Sequence, residues 1–295
     1  MAKLLVVGGT GLIGSEVVRQ ARTLGHVVTM LSRDAKGIDG RVIVGDLRQP
    51  HSLEGLLRGE HFDAIVYLAQ AASHNAFPGN ATDAVAVNIS APVALCQWAV
   101  NSGCDRFILG SSGGICGPAH GLERITESSG RQPPERLNFY LSTKARCEEL
   151  LVAFGGLLKI DVLRYFFVYG RTQRPDFLFP RLIEKMKSGQ AIELAGGEGP
   201  WLNPIHARDA ASLTIRALES SVGGVTNVAG LEDMTLRALV GALEQAVGTR
   251  AKVVPTDERP PRFLADTSLM LKKLGTPEIT LDKGIAMSFA QEPRE

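Results

Sequence analysis

The chain opens with a short apolar run, Lys3–Val7, followed at once by glycines, and the same motif of a brief apolar run next to a longer amphipathic stretch then repeats. Runs this short and this rich in Val, Ile and Leu read as strands buried on both faces, and residues returning every three or four positions read as helices. The pattern predicts strands at Lys3–Val7, Val27–Leu31, Val42–Val44, Ala64–Leu68, Arg106–Leu109 and Asp161–Tyr165. Between them it predicts helices over Leu12–Leu24, Ser52–Leu57, Thr82–Asn101 and Asn138–Phe154. Strands that alternate with helices imply an α/β fold: a doubly wound parallel sheet of Rossmann type, covered on both faces.

The rhythm changes after Gly170. A helix is predicted at Phe177–Ser188, a short strand at Ala191–Leu194, and a turn at Gly196-Gly197-Glu198-Gly199-Pro200. Val225–Val228 reads as a strand returning to the main sheet, and helices over Thr235–Val247 and Thr267–Leu274, with Val253-Val254 between them, complete a smaller lobe. The expected division is a dinucleotide-binding domain over 1–170, rejoined by about 205–230, and a smaller C-terminal substrate-binding lobe over 171–295 that packs tightly against it. The stretch from Gly113 to Leu137 mixes Gly, Pro and charge and is expected to be a mobile active-site loop.

Composition narrows the function classes. Net charge is +1 with no long basic run, which gives no footprint for nucleic acid. Apolar runs such as Leu150–Leu158 are too short for a membrane span, and the N-terminus does not read as a signal peptide. The four cysteines, Cys96, Cys104, Cys116 and Cys147, show no metal-ligand spacing. A reduced, cytoplasmic protein without a metal is expected.

Gly9-Thr10-Gly11-Leu12-Ile13-Gly14 falls directly after a strand and at a helix start. Glycines there permit a tight turn and close backbone approach, and the helix N-terminus presents free N–H groups to a pyrophosphate. A nicotinamide dinucleotide is therefore expected. At the end of the second strand, Ser32 followed by Arg33 suits the 2′-phosphate of NADP, while Asp34 keeps NAD as the alternative. Asp46-Leu47 after the third strand is placed to meet the adenine, or Asp46 caps the next helix.

Tyr140 and Lys144 are one helical turn apart and project from one face. A phenol has an ordinary pKa near 10, and a neighbouring ammonium favours the phenolate, which makes the tyrosine a usable acid/base. With Ser112 upstream, the three are the candidate catalytic residues.

Taken together these residues resemble the extended short-chain dehydrogenase/reductase family, in its sugar-nucleotide epimerase/dehydratase branch, over nearly the whole chain. Gly8 with Gly11 and Gly14 is similar to its cofactor signature, Gly45-Asp46-Leu47 to its adenine contact, and Tyr67-Leu68-Ala69-Gln70-Ala71 to its His-Leu-Ala-Ala stretch lining the cofactor. Asn88, Arg106 through Ser112 and Gly117, Arg164 through Phe166, Val168-Tyr169-Gly170, Pro204-Ile205-His206 and Gly224 through Gly230 resemble later landmarks. The resemblance implies that Ser112 bonds the reacting oxygen, Tyr140 shuttles its proton, and Lys144 holds the nicotinamide ribose and tunes Tyr140. It implies cofactor contacts from Gly8, Thr10, Gly11, Leu12, Ile13, Gly14, Ser32, Arg33, Asp46, Leu47, Leu68, Ala69, Gln70, Asn88 and Phe166, and a homodimer.

The departures from that pattern matter. The acid pair that dehydratases carry after the catalytic hydroxyl is Gly113-Gly114 here, which argues against a 4,6-dehydratase. Phe167 replaces an asparagine that meets the substrate diphosphate, Leu202 an arginine, and Cys116 a tyrosine. Arg174 with Asp176, Arg259 and Arg262 are candidate compensating groups, and His74 lies where substrate is expected. Expected substrate contacts are thus His74, Phe167, Arg174 and Arg262, while His206 reads as structural, and Cys96 and Trp98 as core or dimer contact. The favoured reading is an NAD(P)-dependent epimerase or ketoreductase of a sugar nucleotide. A reductase of a non-nucleotide ketone or aldehyde and a non-catalytic NADP-binding sensor stay open.

Overall fold

A computed structural model of the protein describes residues 1–71, 77–119, 121, 123–219 and 223–290. Its first half runs β1 (Lys3–Val7), α1 (Leu12–Thr23), β2 (Val27–Ser32), β3 (Arg41–Val44), α2 (Leu53–Leu56), β4 (Ala64–Tyr67), α3 (Ala81–Val85), a π-helical turn (Ala86–Ser90), α4 (Ala91–Ser102), β5 (Arg106–Ser112), α5 (Phe139–Val152) and β6 (Lys159–Tyr165). It continues with β7 (Val168–Tyr169), α6 (Leu178–Lys187), β8 (Ala191–Ala195), β9 (Trp201–Leu202), β10 (Ile205–His206), α7 (Ala207–Arg216), β11 (Gly224–Val228), β12 (Met234–Thr235), α8 (Leu236–Val247), β13 (Lys252–Thr256), β14 (Arg262–Phe263), α9 (Ser268–Lys273) and α10 (Leu281–Phe289).

The central sheet has seven strands in the order β11-β6-β5-β4-β1-β2-β3, and every adjacent pair in it is parallel. Its inner strands are apolar at successive positions because both faces are covered. Side chains alternate across a strand, so Leu4 and Val6 enter a cluster with Val17, Ala21, Ala210 and Leu213 of α1 and α7. Leu5 and Val7 enter the opposite cluster with Leu95, Trp98, Cys147 and Leu151 of α4 and α5. Each such fully buried Leu or Val contributes roughly 1.5–3 kcal/mol. Cys96 and Trp98 are core residues on this second face, and the four cysteines are buried and free.

By length and composition the run Ala81–Ser102 is long and apolar enough to cross a membrane, but half of that window is buried inside the protein. The expected single helix over Thr82–Asn101 is interrupted by the π-helical turn, a register change that periodicity cannot show and that aims Asn88 inward. α7 and α10 lie where no helix was expected.

A third apolar cluster gathers Phe179, Leu182, Leu202, Leu239, Leu243 and Ile285 from the chain after Gly170. The segment from Gly113 to Leu137, expected to be mobile, is anchored instead. Ile115, Cys116 and Ile125 are buried against Phe166, Ala229 and Ala265. Single bridges join Ala119 to Arg262 and Ile125 to Ala265, and the Asn227 side chain donates to the Ile125 carbonyl at 2.8 Å. Apolar side chains spaced among its glycines and prolines fasten the loop against Phe166, Ala229 and Ala265.

Candidate active site

The C-terminal ends of β1, β4, β5 and β6 open onto one cavity of about 820 Å³, the edge at which parallel sheets of this kind bind ligands. After β1 the chain turns at Gly8, whose φ of +86° suits glycine. A Cβ there would lie 2.6 Å from the Ala69 nitrogen. A Cβ on Gly14 would overlap the Gly8 carbonyl oxygen. The Gly11 amide donates to that carbonyl at 3.0 Å. Gly11 is the N-cap of α1 and offers no side chain to it, so the first-turn N–H groups of α1 remain available to an anion, favoured by the helix dipole. A backbone cradle that a Cβ would fill, at an uncapped helix start, fits a dinucleotide diphosphate.

Gly8, Thr10, Gly11, Leu12, Ile13, Gly14, Ser32, Arg33, Asp46, Leu47, Leu68, Ala69, Gln70 and Phe166 line this cavity. Asn88 does not. It is buried, accepts from the Ala71 amide at 3.1 Å and donates to Thr143 Oγ1 at 2.9 Å, so it ties the loop after β4 to α5 from behind. Asp46 is held by Arg48, whose guanidinium donates to both carboxylate oxygens, and this hydrogen bonding keeps its carboxyl below the usual range. The next helix takes no side-chain cap from Asp46. Asp34 accepts from the Lys36 amide and is not among the cavity residues, whereas Arg33 is.

Ser112, Tyr140 and Lys144 face the same cavity. Ser112 Oγ accepts from the Gly114 amide at 3.2 Å, closing the turn after β5. This leaves its O–H to donate. The hydroxyl of Ser111, which also borders the cavity, turns to α5 and donates to Glu148 Oε1 at 2.5 Å. The Tyr140 hydroxyl donates to Gln70 Oε1 at 3.1 Å. Lys144 Nζ donates to the Gly110 carbonyl at 2.8 Å and stands 6.0 Å from the Tyr140 ring centroid. Burial pushes the phenol up to about 12 and pushes the Lys144 ammonium down. The ammonium is bonded to a backbone carbonyl.

A buried ion cluster sets the height of α5 over the sheet. Arg164 donates to Glu148 through Nε at 3.1 Å and Nη2 at 2.8 Å, and Arg131 adds a third bond at 3.0 Å. Burial alone would raise the Glu148 carboxyl, but the two guanidiniums and the Ser111 hydroxyl hold it below its usual range.

Of the expected substrate contacts, Phe167 and Arg174 line the cavity. Phe167 has a φ of +45°, an uncommon conformation for a bulky residue, and meets Phe263 edge-on at 6.1 Å. Arg174 is paired with Asp176 at 2.7 Å. Arg262 is not a cavity residue; its guanidinium lies 4.8 Å over the Trp201 ring instead, because its neighbour Phe263 takes the inward position. His74 lies outside the described residues. The cavity also takes Arg48, Asp83, Gln173 and Phe177, which the sequence reading did not pick out. Arg48 had a signal in its place beside Asp46, but the others sit where only the tertiary fold brings the loops together. His206 is structural: it caps α7 through Arg208 N and meets Ser288 Oγ at 3.1 Å. Among the described residues no group of three or more His, Cys, Asp and Glu could hold a metal ion.

Comparison with known proteins places this geometry. The model of the NAD dependent epimerase/dehydratase family matches residues 4–229. The low-salt glycan biosynthesis protein Agl12 of Haloferax volcanii is 26% identical over 96% of this chain and 96% of its own length. The UDP-glucose 4-epimerase of Thermus thermophilus, solved in complex with NAD, superposes with a TM-score of 0.82 at 26% identity, covering 97% of each chain. A DesIV double mutant, a dTDP-glucose 4,6-dehydratase from Streptomyces venezuelae solved with NAD bound, gives a TM-score of 0.80 at 25% identity, covering 97% of this chain and 95% of its own.

Proposed function

The chain belongs to the NAD dependent epimerase/dehydratase family, and on that footing we propose that it moves hydride at a ring carbon of a sugar nucleotide, as an epimerase or 4-ketoreductase. The observation that carries this reading is that Ser112, Tyr140 and Lys144 face one cavity with the glycine cradle after β1. The bound nicotinamide dinucleotide supplies the hydride acceptor or donor. Tyr140 Oη takes the proton from a ring hydroxyl or returns it to a ring ketone. The Ser112 hydroxyl bonds the same oxygen and holds it in place. Lys144 is held by Gly110 in the same cavity, where its positive charge favours the phenolate over the phenol. Its role is to offset the desolvation that raises Tyr140.

Gly113 supports an epimerase or reductase over a 4,6-dehydratase. A methyl there would overlap the Phe166 ring, so the position where the family's dehydratases carry an acid has no room for one. NADP is the cofactor we favour, because Arg33 reaches the cavity at the end of β2 while Asp34 turns to the Lys36 amide. Titration with NADPH and NADH tests that preference. Cofactor released from denatured protein separates the two activities: retained oxidised cofactor fits an epimerase, an empty site a reductase.

Tyr140→Phe is the direct test of the chemistry. Turnover should fall about 10²–10⁴-fold, the worth of a positioned acid/base, with cofactor binding kept. Undiminished turnover would remove Tyr140 from the mechanism. One observation favours a second reading, a reductase of a non-nucleotide ketone or aldehyde: Phe167 meets Phe263 edge-on at the cavity, and Arg174 is already paired with Asp176. Lack of inhibition by UDP, dTDP and GDP would select it.

A further inference from the structure

We propose that Gln70 is a positioning residue for the reacting phenol: in the resting site its side-chain carbonyl accepts the Tyr140 hydrogen bond, keeping the hydroxyl protonated and aimed until a substrate oxygen takes its place. The inference rests on the reading of Tyr140 as the acid/base, and it concerns what holds that group before substrate arrives.

The geometry is specific. Gln70 lies just beyond the end of β4 and lines the cavity, and its Oε1 stands 3.1 Å from the Tyr140 hydroxyl. The contact joins residues 70 positions apart in sequence, so something must hold the two segments in register. The buried Asn88 side chain does this. Its Oδ1 accepts from the amide of Ala71, the residue after Gln70. Its Nδ2 donates to Thr143 Oγ1, and that hydroxyl donates to the Tyr140 carbonyl at 2.7 Å. One amide, aimed inward by the π-helical turn, therefore fixes the loop that carries Gln70 against the helix turn that carries Tyr140.

The charged groups around the cavity make a neutral acceptor effective here. From the phenol's own helix the facing ammonium is Lys144, already bonded to Gly110. Among the described residues the other charged ones lining the cavity are Arg33, Asp46, Arg48, Asp83 and Arg174, and Asp46 and Arg174 are engaged with Arg48 and Asp176. A carboxamide oxygen is a strong acceptor that carries no charge. A hydrogen bond to the neutral form of an acid favours that form. Gln70 thus keeps the proton on Tyr140 in an empty site, where burial already disfavours the phenolate.

The test needs no turnover. With 3,5-difluorotyrosine placed at position 140, ring fluorination brings the phenol into an accessible pH range, and the fluorine shift reports its protonation in cofactor-free protein. Gln70→Met keeps the length but removes the amide acceptor, and should lower the titration midpoint by about 0.5–1 unit, the worth of one net hydrogen bond. Gln70→Glu sets a carboxylate beside the phenol and should raise the midpoint by at least as much. Opposite shifts of the two variants support the proposal, because a merely structural change in the loop moves both the same way. A Met variant that is unmoved or raised, or two shifts of one sign, overturns it. Turnover of Tyr140→Phe is measured separately: if it persists, the acid/base reading falls, whereas the Gln70 contact is judged by the titration alone.

Discussion

Glu148 lies one turn beyond Lys144 on α5, and its removal is the most quantitative prediction the structure offers. Its side chain is 1% exposed and that of Arg164 is 4% exposed, so neither charge has water to fall back on. Glu148→Ala deletes the carboxylate that accepts from Arg164 twice, from Arg131 and from Ser111. It strands the Arg164 guanidinium, whose remaining partners are the Cys116 sulfur at 3.7 Å and the Glu127 carbonyl at 3.1 Å. Breaking a buried pair on one side costs about 3–5 kcal/mol. For a chain of this size that is a fall in Tm of roughly 6–20 °C, taking about 2–4 °C per kcal/mol.

The assay is thermal and urea unfolding of four proteins: wild type, Glu148→Ala, Arg164→Met, and a double variant Glu148→Leu with Arg164→Met. The double variant should lie within about 1–2 kcal/mol of wild type, because two apolar groups of similar volume remove both desolvation penalties together. pH gives an independent reading. The Glu148 carboxyl is held below its ordinary value in the folded protein, so its contribution is present above the unfolded carboxylate pKa, near 4.3, and is lost as pH falls through the folded value. The gap between wild type and Glu148→Gln should therefore narrow as the solution is acidified. A Glu148→Ala cost under about 1 kcal/mol, or a gap that widens in acid, would refute the claim that this pair holds α5.

The remaining predictions concern the cavity. Gly113→Ala drives a methyl into the Phe166 ring and should cost about 1–3 kcal/mol by overpacking, read by urea unfolding, with weaker cofactor binding because Phe166 is a wall of the site. Asn88→Ala removes the two bonds through which its side chain ties the loop after β4 to α5. It should lower kcat at least tenfold while changing the KM for cofactor less than threefold, estimates on the order of 1–2 kcal/mol for lost buried hydrogen bonds. Arg33→Ala should reduce the preference for NADPH over NADH about tenfold, the scale of one charge-assisted contact to a phosphate, as measured by fluorescence titration of both cofactors.

What was legible in the chain and what was not divides along physical lines. The central strands could be read because each is apolar at successive positions and bounded by turn residues. β1 spans Lys3–Val7 in the structure as the pattern expects, and Val225–Val228 does return to the sheet, beside β6. β5 runs on from Leu109 through Gly110, Ser111 and Ser112, since glycine and serine carry no strand signal and only pairing with β6 holds them extended. α7 was illegible because its buried face is largely alanine, Ala207, Ala210 and Ala211, a weak hydrophobic signal that becomes decisive only against α1. The two-residue strands β7, β9, β10, β12 and β14 have no local signature at all. In the site, the residues carried by backbone patterns, Gly8 to Gly14 and Tyr140 with Lys144, were visible. Those whose orientation depends on a neighbour were not, as where Arg262 loses the cavity to Phe263.

The end of β5 shows why stability and chemistry can be separated here. The Ser111 hydroxyl turns to Glu148, and Ser112 faces the cavity. Two adjacent hydroxyls thus serve an ion pair and the cavity that Tyr140 lines. Glu148 and Lys144 repeat the arrangement on α5, one turn apart, the first bonded to β6 through Arg164 and the second to β5 through the Gly110 carbonyl. Tyr140 is one further turn along, and its hydroxyl meets the neutral amide of Gln70. The helix is thus fastened by an ion cluster away from the reacting group and by an uncharged hydrogen bond beside it. On the proposed reading, Gln70 holds the proton on the phenol until a substrate oxygen takes its place, which suits a group proposed both to give and to take a proton.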